Sequence, residues 1–316
     1  MVTPRRAAAE AGVTRQAAFY HLRRMLDAKE VDARGQGRSR SYLRSSFCDQ
    51  TLATDGLQED RVWRRLLEGQ PEMTRLNDDA IAIANFAFTE MVNNAIDHSY
   101  ADQVRVIASA RPSSLVFSVI DHGIGIFSSV RKKMGLEDEF ASIQEISKGK
   151  LTTDSARHTG QGIFFTSKAV DLFVARSHDL HWSVDNLRND HAVGDSPFVR
   201  GTAIEFEIST TPKRKLKSVF DEYTNPDDYS FDRSRTVVKL YDYDVAFVSR
   251  SEATRLLRNL DRFNEVVIDF AGVSEVGQGF VDEVFRVWPG EHPAVRLLPV
   301  NMSPAVRAMV ERGLPR

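Results

Sequence analysis

The chain has 316 residues, of which 42% are hydrophobic and 27% are charged, and its formal net charge is −2. This length accommodates two or three domains that each bury a core, and the composition is that of a folded chain rather than a disordered one. The near-zero charge predicts no overall attraction to nucleic acid or membranes, and the absence of 18 consecutive apolar residues argues against a membrane span. The N-terminus lacks a signal-peptide pattern, and the single cysteine, Cys48, excludes an internal disulfide and a thiolate metal cluster. We therefore expect a cytoplasmic protein.

The first 45 residues are basic, with ten arginines and lysines against four acidic residues. A helix over Arg6–Ala11 is predicted to end at Gly12, and Thr14 is predicted to cap a second helix. The apolar stripe predicted for that second helix consists of Ala18, Leu22, Met25 and Leu26. Two short alternating segments around Gly35-Gln36-Gly37 then predict a β-hairpin.

Helix, turn, helix and hairpin in this order resemble the winged helix-turn-helix DNA-binding domains of bacterial regulators. The resemblance implies that the second helix enters the major groove and that arginines of the wing contact phosphates. The implied DNA-binding residues are Arg15, Gln16, Tyr20, Arg23, Arg24, Arg38 and Arg40. An RNA hairpin, a protein partner or a solvated face on a small dimerisation module would use the same charges. We favour DNA because charge, helix pair and hairpin agree.

Residues 47–76 are predicted to connect this module to the next domain. They include a short helix over Val62–Leu67, in which Trp63 is the expected core residue. No helix bearing an exposed, phosphate-accepting histidine is evident in this segment.

A longer helix around Glu90 carries polar groups beside an apolar stripe. The stripe recurs at helical spacing at Ile81, Ala84, Phe88, Val92 and Ala95. Glu90, Asn94 and Asp97 are spaced to share one face next to it. Such groups are costly to bury unless a metal ion or polar ligand satisfies them, whereas a solvated polar face would need no ligand.

Two glycine motifs follow. A predicted hairpin of Val104–Ala108 and Leu115–Ile120 runs into Asp121-His122-Gly123-Ile124-Gly125. Gly160-Gln161-Gly162 then opens a helix predicted to carry Ile163, Ala169, Val170 and Phe173. Glycines at a helix start expose N–H groups suited to phosphate. Gly201–Ile208 alternates and is predicted to be a strand that closes the sheet.

The ordered motifs E-x-x-x-N-x-x-D, D-x-G-x-G, G-x-G and a Gly-Thr strand resemble the GHKL ATP-binding fold over residues 77–210. That superfamily includes gyrase, the ninety-kilodalton heat-shock chaperone, histidine kinases and MutL. The resemblance implies ATP and Mg²⁺ as cofactors. It implies the following roles: Asn94 as Mg²⁺ ligand, Asp121 as acceptor for the adenine amino group, Gly123 and Gly125 in close approach to the nucleotide, Gly160 and Gly162 on the phosphates, Thr202 beside the adenine pocket, and Asp97 as a support for Asn94.

Glu90 occupies the position of the family's general base, although it is also compatible with a plain helix-surface glutamate. Residues 127–159 correspond to the family's ATP lid and are expected to form a long polar loop. The lid residues considered for contact with the γ-phosphate are Lys148, Lys150, Arg157 and His158.

The C-terminal region alternates predicted strands and helices after a polar linker at 211–235. The predicted elements are strands Val237–Tyr241, Val245–Val248, Val266–Phe270 and Val295–Leu298, and helices Ser251–Phe263, Val281–Val287 and Pro304–Arg312. The stretch from Glu265 to Phe285 resembles STAS domains, the fold of anti-sigma-factor antagonists. Those antagonists carry a phosphorylatable serine where this chain has Gly277-Gln278-Gly279, and Ser274 is not an equivalent. We therefore expect a fixed interaction or nucleotide-sensing module rather than a phospho-switch.

The predicted fold is an α+β multidomain chain. Its predicted parts are a winged helix-turn-helix (1–46), a connecting segment (47–76), a GHKL (Bergerat) α/β sandwich (77–210), a linker (211–235) and a small STAS-like α/β domain (236–316). The first functional hypothesis is a transcriptional regulator whose nucleotide state controls DNA binding. The alternatives are an anti-sigma-like serine or histidine kinase acting on a partner, and a chaperone- or MutL-like ATPase clamp. The expected partners are DNA, a protein bound through the STAS-like domain, and a second copy of the chain, with no membrane.

Overall fold

A computed structural model of the chain describes residues 2–27, 31–35, 37, 40–149, 161–223, 235–240 and 247–313. These residues form a small N-terminal unit, a central unit built on a five-stranded sheet, and a C-terminal unit built on a three-stranded sheet. No helix in these ranges is both long and apolar enough to cross a membrane.

The N-terminal unit consists of two helices and a hairpin. Its elements are α1 (Pro4–Ala11), α2 (Arg15–Asp27), β1 (Val31–Arg34) and β2 (Ser41–Arg44). Gly12 ends α1 in the left-handed conformation (φ 64°), and the Thr14 hydroxyl accepts a hydrogen bond from Ala17 N at 3.2 Å, as predicted. Leu22 packs with Val31 and Tyr42 in a small core, whereas Met25 of the predicted stripe is 37% exposed.

The central sheet is antiparallel, with the strand order β3-β4-β5-β7-β6. Its strands are β3 (Cys48–Ala53), β4 (Gln103–Ala110), β5 (Ser114–Asp121), β6 (Leu172–Asp185) and β7 (Asp190–Ser209). The edge strand β3 comes from the segment predicted to be a connector, because its backbone pairs with β4. The predicted Gly201–Ile208 strand lies in β7, which is an interior strand and not the closing one.

Helices pack on this sheet to form one continuous core. They are α3 (Glu59–Leu66), α4 (Asp78–His98), α5 (Ile126–Met134), α6 (Glu139–Lys148), α7 (Gly162–Ala169) and α8 (Leu216–Tyr223), with a 3₁₀ turn at Pro71–Arg75. Trp63 is buried beside Phe88 and Phe117, as expected of a core anchor. The α4 stripe is also buried, except that Ile81 is 38% exposed because Ile83 faces the sheet instead.

Three sequence predictions in this unit are wrong. Val170 and Phe173 do not belong to α7, which ends at Ala169, and Phe173 lies in β6. The predicted lid is not one long loop, since α5 and α6 occupy its first part. The predicted linker contributes α8, whose Val219 is buried in the same core. Val170 and Phe173 were misassigned because periodicity alone does not separate a buried strand from a buried helix, whereas α5, α6 and α8 were missed because a helix inside a polar segment gives a weak signal.

The C-terminal unit has a parallel sheet of order β10-β9-β8. Its elements are β8 (Arg235–Lys239), α9 (Arg250–Leu257), a 3₁₀ turn (Leu260–Arg262), β9 (Glu265–Asp269), α10 (Gln278–Asp282), a π turn (Glu283–Val287), α11 (Trp288–Glu291), β10 (Arg296–Val300) and α12 (Pro304–Gly313). The predicted helix to Phe263 stops at Leu257, since Arg258 has ψ 133° and Asn259 is left-handed at φ 59°. Phe247 and Val248 are not in a strand, while Tyr241 and Val245 lie outside the described residues.

The start of α10 packs against the backbone at Val248. Phe280 N donates to the Val248 carbonyl oxygen at 3.2 Å. A Cβ atom on Gly277 would lie 2.5 Å from that oxygen. The position at which the STAS antagonists carry their serine is therefore packed against main chain in this protein.

Candidate functional site

A pocket opens between α4, the end of β5, the start of α5 and β7. Asn94 of α4, Asp121 at the end of β5 and Thr202 of β7 all line it. Its apolar wall is formed by Met91, Ala95, Val119, Ile126, Ile163 and Ile204. The lining therefore combines a few polar groups with apolar side chains that suit a flat apolar or aromatic group.

Asp121 is held in a fixed orientation inside this pocket. Its side chain is 5% exposed, and its Oδ1 accepts a hydrogen bond from Gly123 N at 2.9 Å. Burial raises the pKa of Asp121, while hydrogen bonds from Gly123 and Thr202 oppose that shift. Thr202 Oγ1 also accepts a hydrogen bond from Ile126 N at 3.0 Å, so this residue links the carboxylate to the start of α5. Such a carboxylate is an acceptor for an amino group of a bound ligand.

The glycines of the D-x-G-x-G turn are required by the protein's own packing. A Cβ atom at Gly123 would lie 1.9 Å from the Ser99 carbonyl oxygen. At Gly125, where φ is 80°, it would lie 2.4 Å from Ser177 Oγ. At Gly201, where φ is 76°, it would lie 2.4 Å from the Asp121 carbonyl oxygen. A side chain at any of these positions would push the turn out of place.

Asn94 has a polar atom without a partner. Its Nδ2 is buried and makes no hydrogen bond within the described part of the chain. Because the two ends of a carboxamide are interchangeable by rotation, the same position presents an oxygen equally well. An amide oxygen is a ligand type that Mg²⁺ accepts, usually together with water and ligand phosphates. Within the described ranges no cluster of three or more His, Cys, Asp or Glu side chains is arranged to hold a metal ion.

Glu90 lies against the start of α7 and does not line the pocket itself. A Cβ atom at Gly162 would lie 1.8 Å from Glu90 Oε2, so only glycine leaves room for this carboxylate. Asp97 is exposed and is also not part of the pocket lining. Gly160, Lys150, Arg157 and His158 lie outside the described residues. The structure therefore brings Asn94, Asp121, Gly125 and Thr202 together, with Glu90 and Gly162 next to each other nearby.

Residues 57–182 match the family model of the histidine kinase-like ATPase domain. The chain contains a histidine kinase-like ATPase domain. Residues 252–307 match the STAS-like domain of unknown function (DUF4325). No curated protein matches the chain. The first match begins inside the predicted connector, which agrees with the burial of Trp63 in the core of the ATPase domain.

Sequence reasoning missed several pocket residues of the ATPase domain. They are His98, Ser99, Ser129, Val130, Lys133 and Met134. The last four lie on α5, which the sequence analysis treated as part of the lid. Ser129 and Val130 follow Ile126 by three and four residues, and Lys133 and Met134 follow it by seven and eight, which is a helical spacing that was available in the sequence.

Lys148 cannot act as the predicted phosphate contact. Its side chain is 2% exposed, and its Nζ donates to Glu145 Oε1 at 2.6 Å. Desolvation lowers the pKa of Lys148, and the charge of Glu145 opposes that effect. This lysine therefore has a structural partner within its own helix.

The N-terminal unit presents a second cluster of polar residues. A crevice between α2 and the hairpin is lined by Pro4, Arg15, Gln16, Phe19, Gly37 and Arg40. Tyr20, Arg23 and Arg24 of α2 are exposed, with the Arg24 guanidinium carbon 6.0 Å from the Tyr20 ring centroid. The Arg40 guanidinium carbon lies 5.5 Å from the Tyr42 ring centroid, and Arg38 lies outside the described residues. Cations and exposed aromatic side chains thus share one face.

Proposed function

We propose that the chain is an ATP-binding transcriptional regulator, in which the nucleotide state of the ATPase domain controls a winged-helix DNA-binding module at the N-terminus. One observation carries the nucleotide part of this proposal. Asn94, whose Nδ2 is buried without a partner in the described part of the chain, and the fixed carboxylate of Asp121 line the same pocket together with apolar side chains. That arrangement suits a ligand with an aromatic base at one end and a metal-bound phosphate at the other.

The chain's own residues divide the work of binding. Asp121 would accept a hydrogen bond from the adenine amino group, and guanine would place a carbonyl oxygen against the same carboxylate. Thr202 would keep Asp121 oriented, because its hydroxyl bridges the carboxylate and the start of α5. Asn94 would offer its oxygen to Mg²⁺, which neutralises phosphate charge when bound. Gly162 N–H at the start of α7 would face the phosphates.

Whether the protein hydrolyses ATP or only senses it depends on Glu90. We assign it the role of general base, which orients and deprotonates the attacking water. Its position against Gly162 supports this assignment, since the first residue of α7 is also where the phosphates would lie. A binding-only protein would retain the same packing without using the carboxylate.

The DNA-binding part of the proposal rests on α2. The exposed face of that helix carries Arg15, Gln16, Tyr20, Arg23 and Arg24, while Ala18 and Leu22 are buried on the other side. A short basic helix braced by a hairpin is the geometry with which such modules enter the major groove. Arg40 of the hairpin lies at the same crevice as Arg15 and would approach the adjacent backbone phosphates.

Nucleotide chemistry is tested by incubating the full chain with γ-³²P-labelled ATP and Mg²⁺, alone and with co-purifying proteins. Free phosphate without labelled protein supports an ATPase and contradicts the kinase alternative. Label on this chain or on a partner would favour a kinase instead. No retention of ATP would refute the nucleotide part of the proposal.

DNA binding is tested by measuring how retention of duplex DNA depends on salt, with and without ATP. Each lost phosphate contact should reduce the salt slope by about one. Because the phosphates border the major groove, arginines of α2 would also lie close to them, and the triple variant Arg15→Ala/Arg23→Ala/Arg24→Ala should therefore lose up to about three units of slope. The matched control is Arg64→Ala on α3, whose exposed pair with Asp60 lies outside the module. Equal slopes for the triple variant and the parent chain would refute the winged-helix assignment.

A further inference from the structure

The STAS-like domain holds the last turn of α6 through polar contacts. Lys148 Nζ donates to Glu145 Oε1 in its own helix and also to the Arg258 carbonyl oxygen at 2.9 Å. Asn259 Nδ2 donates to the second carboxylate oxygen of Glu145 at 3.0 Å. Thr236 Oγ1 of β8 donates to the Lys148 carbonyl oxygen at 3.1 Å. Glu145 and Lys148 of the ATPase domain thus form hydrogen bonds with three residues of the STAS-like domain, which are Thr236, Arg258 and Asn259.

The charged pair is buried in this contact. Lys148 is 2% exposed and Glu145 is 4% exposed. Removing two charges from water is costly, and the cost is offset only when geometry and additional hydrogen bonds are good. Here those additional bonds come from Arg258 and Asn259, and Asn259 reaches Glu145 from a left-handed backbone conformation that asparagine tolerates. The pair therefore specifies one arrangement of α6 against the STAS-like domain, which a purely apolar contact would define less sharply.

The helix that is held in this way supports the wall of the nucleotide pocket. Ile143 and Ile146 of α6 share the buried core with Phe127 of α5. Glu139, at the start of α6, accepts a hydrogen bond from Ser128 of α5. The neighbouring α5 residues Ile126, Ser129, Val130, Lys133 and Met134 line the pocket. A displacement of α6 would consequently move one wall of the pocket, because packed interiors transmit shifts rather than absorb them.

We propose that Glu145 and Lys148 are positioning residues for the nucleotide pocket, through which the STAS-like domain sets nucleotide affinity. This inference rests on the proposed binding of ATP. It adds that residues of the STAS-like domain, which do not line the pocket, control the affinity of the pocket for nucleotide. Thermodynamic linkage also requires the reverse: bound nucleotide must change the stability of the α6 contact by the same factor.

The test measures binding of the fluorescent analogue TNP-ATP, with Mg²⁺, to the full chain and to three variants. Asn259→Ala and Thr236→Val remove single donors on the STAS-like side, and Lys148→Met removes the buried cation. We expect Kd to rise by about fivefold or more in the single-donor variants, and further in Lys148→Met. The matched control is Arg105→Gln, which breaks the pair with Asp49 at the opposite edge of the sheet and should leave Kd unchanged.

Thermal unfolding of the same samples separates positioning from simple stability. A lower Tm with an unchanged Kd in Asn259→Ala and Thr236→Val would overturn the inference, and these two variants decide the matter if Lys148→Met does not fold. If the parent chain itself fails to bind TNP-ATP, the proposed function is refuted, whereas equal binding by parent and variants refutes only the coupling. Hydrogen exchange gives an independent readout: ATP with Mg²⁺ should alter exchange in Arg250–Leu257 and the following turn. Unaltered exchange at saturating nucleotide would contradict the linkage.

Discussion

The substitution Gly123→Ala should damage both the stability of the chain and its nucleotide pocket. The added methyl would lie 1.9 Å from the Ser99 carbonyl oxygen, so the two must separate by more than about 1 Å to reach an ordinary contact. That oxygen accepts a hydrogen bond from Ile124 N at 2.9 Å, which the separation would break. Overpacking costs about 1–3 kcal/mol and the lost hydrogen bond about 1 kcal/mol. We therefore expect a loss of about 2–4 kcal/mol in the free energy of unfolding.

The same movement displaces Asp121, whose Oδ1 is bonded to Gly123 N. The affinity for TNP-ATP should consequently fall by about tenfold or more, since a mispositioned acceptor loses its hydrogen bond to the base. Calorimetry and a fluorescence titration measure the two effects. The control is Gly290→Ala, because Gly290 has ordinary φ and open space around its Cβ position. That variant should leave Kd unchanged and should not lower Tm, because alanine is more favourable than glycine within a helix such as α11. If Gly123→Ala behaves like Gly290→Ala, the packing argument for the turn is wrong.

Three further predictions concern single residues. Asp121→Asn should abolish detectable ATP binding and yet raise Tm at pH 7. Burial raises the pKa of Asp121 in the folded state, so ionisation of this carboxyl opposes folding when the pH is above the folded-state pKa. The gain in Tm should vanish below about pH 4, where the carboxyl is protonated in both the folded and the unfolded state. A calorimetric pH series checks this, and a constant gain at all pH values would contradict it. Glu90→Gln should bind ATP as tightly as the parent chain, but its rate of phosphate release in a coupled assay should fall by about a hundredfold or more. An unchanged rate would show that Glu90 is not the general base. Cys48 should not react with a thiol reagent at pH 8 until the chain unfolds, because its side chain is 6% exposed and burial raises its pKa. Rapid labelling of the folded chain would contradict this and would show that the edge strand β3 separates from the sheet.

The motifs that bring Asn94 and Asp121 to the pocket were predictable because each depends on residues that are neighbours in the chain. Asn94 follows a helical stripe, and Asp121 ends a strand at a turn that only glycine permits. The pairing of β4 with β5 was predictable for the same reason, since the two strands are neighbours in the chain. Pocket residues on α5 were overlooked because a helix inside a polar segment gives a weaker signal than a glycine motif.

Contacts between distant segments were decided only by the tertiary structure. β3 reads as a connector until β4, about fifty residues later, supplies its hydrogen-bond partners. From the sequence, Lys148 is a lid residue that could contact phosphate. In the structure it is buried, with hydrogen bonds to Glu145 and to the Arg258 carbonyl oxygen, while Asn259 contacts Glu145. Local propensity and periodicity therefore determined many of the elements and the polar motifs of the pocket, namely Asn94, Asp121, Gly125 and Thr202. The edge strand of the sheet and the partners of the buried charges were decided by contacts between segments that are distant in the chain. Such contacts form only on folding, because burial and hydrogen bonding are properties of the folded chain.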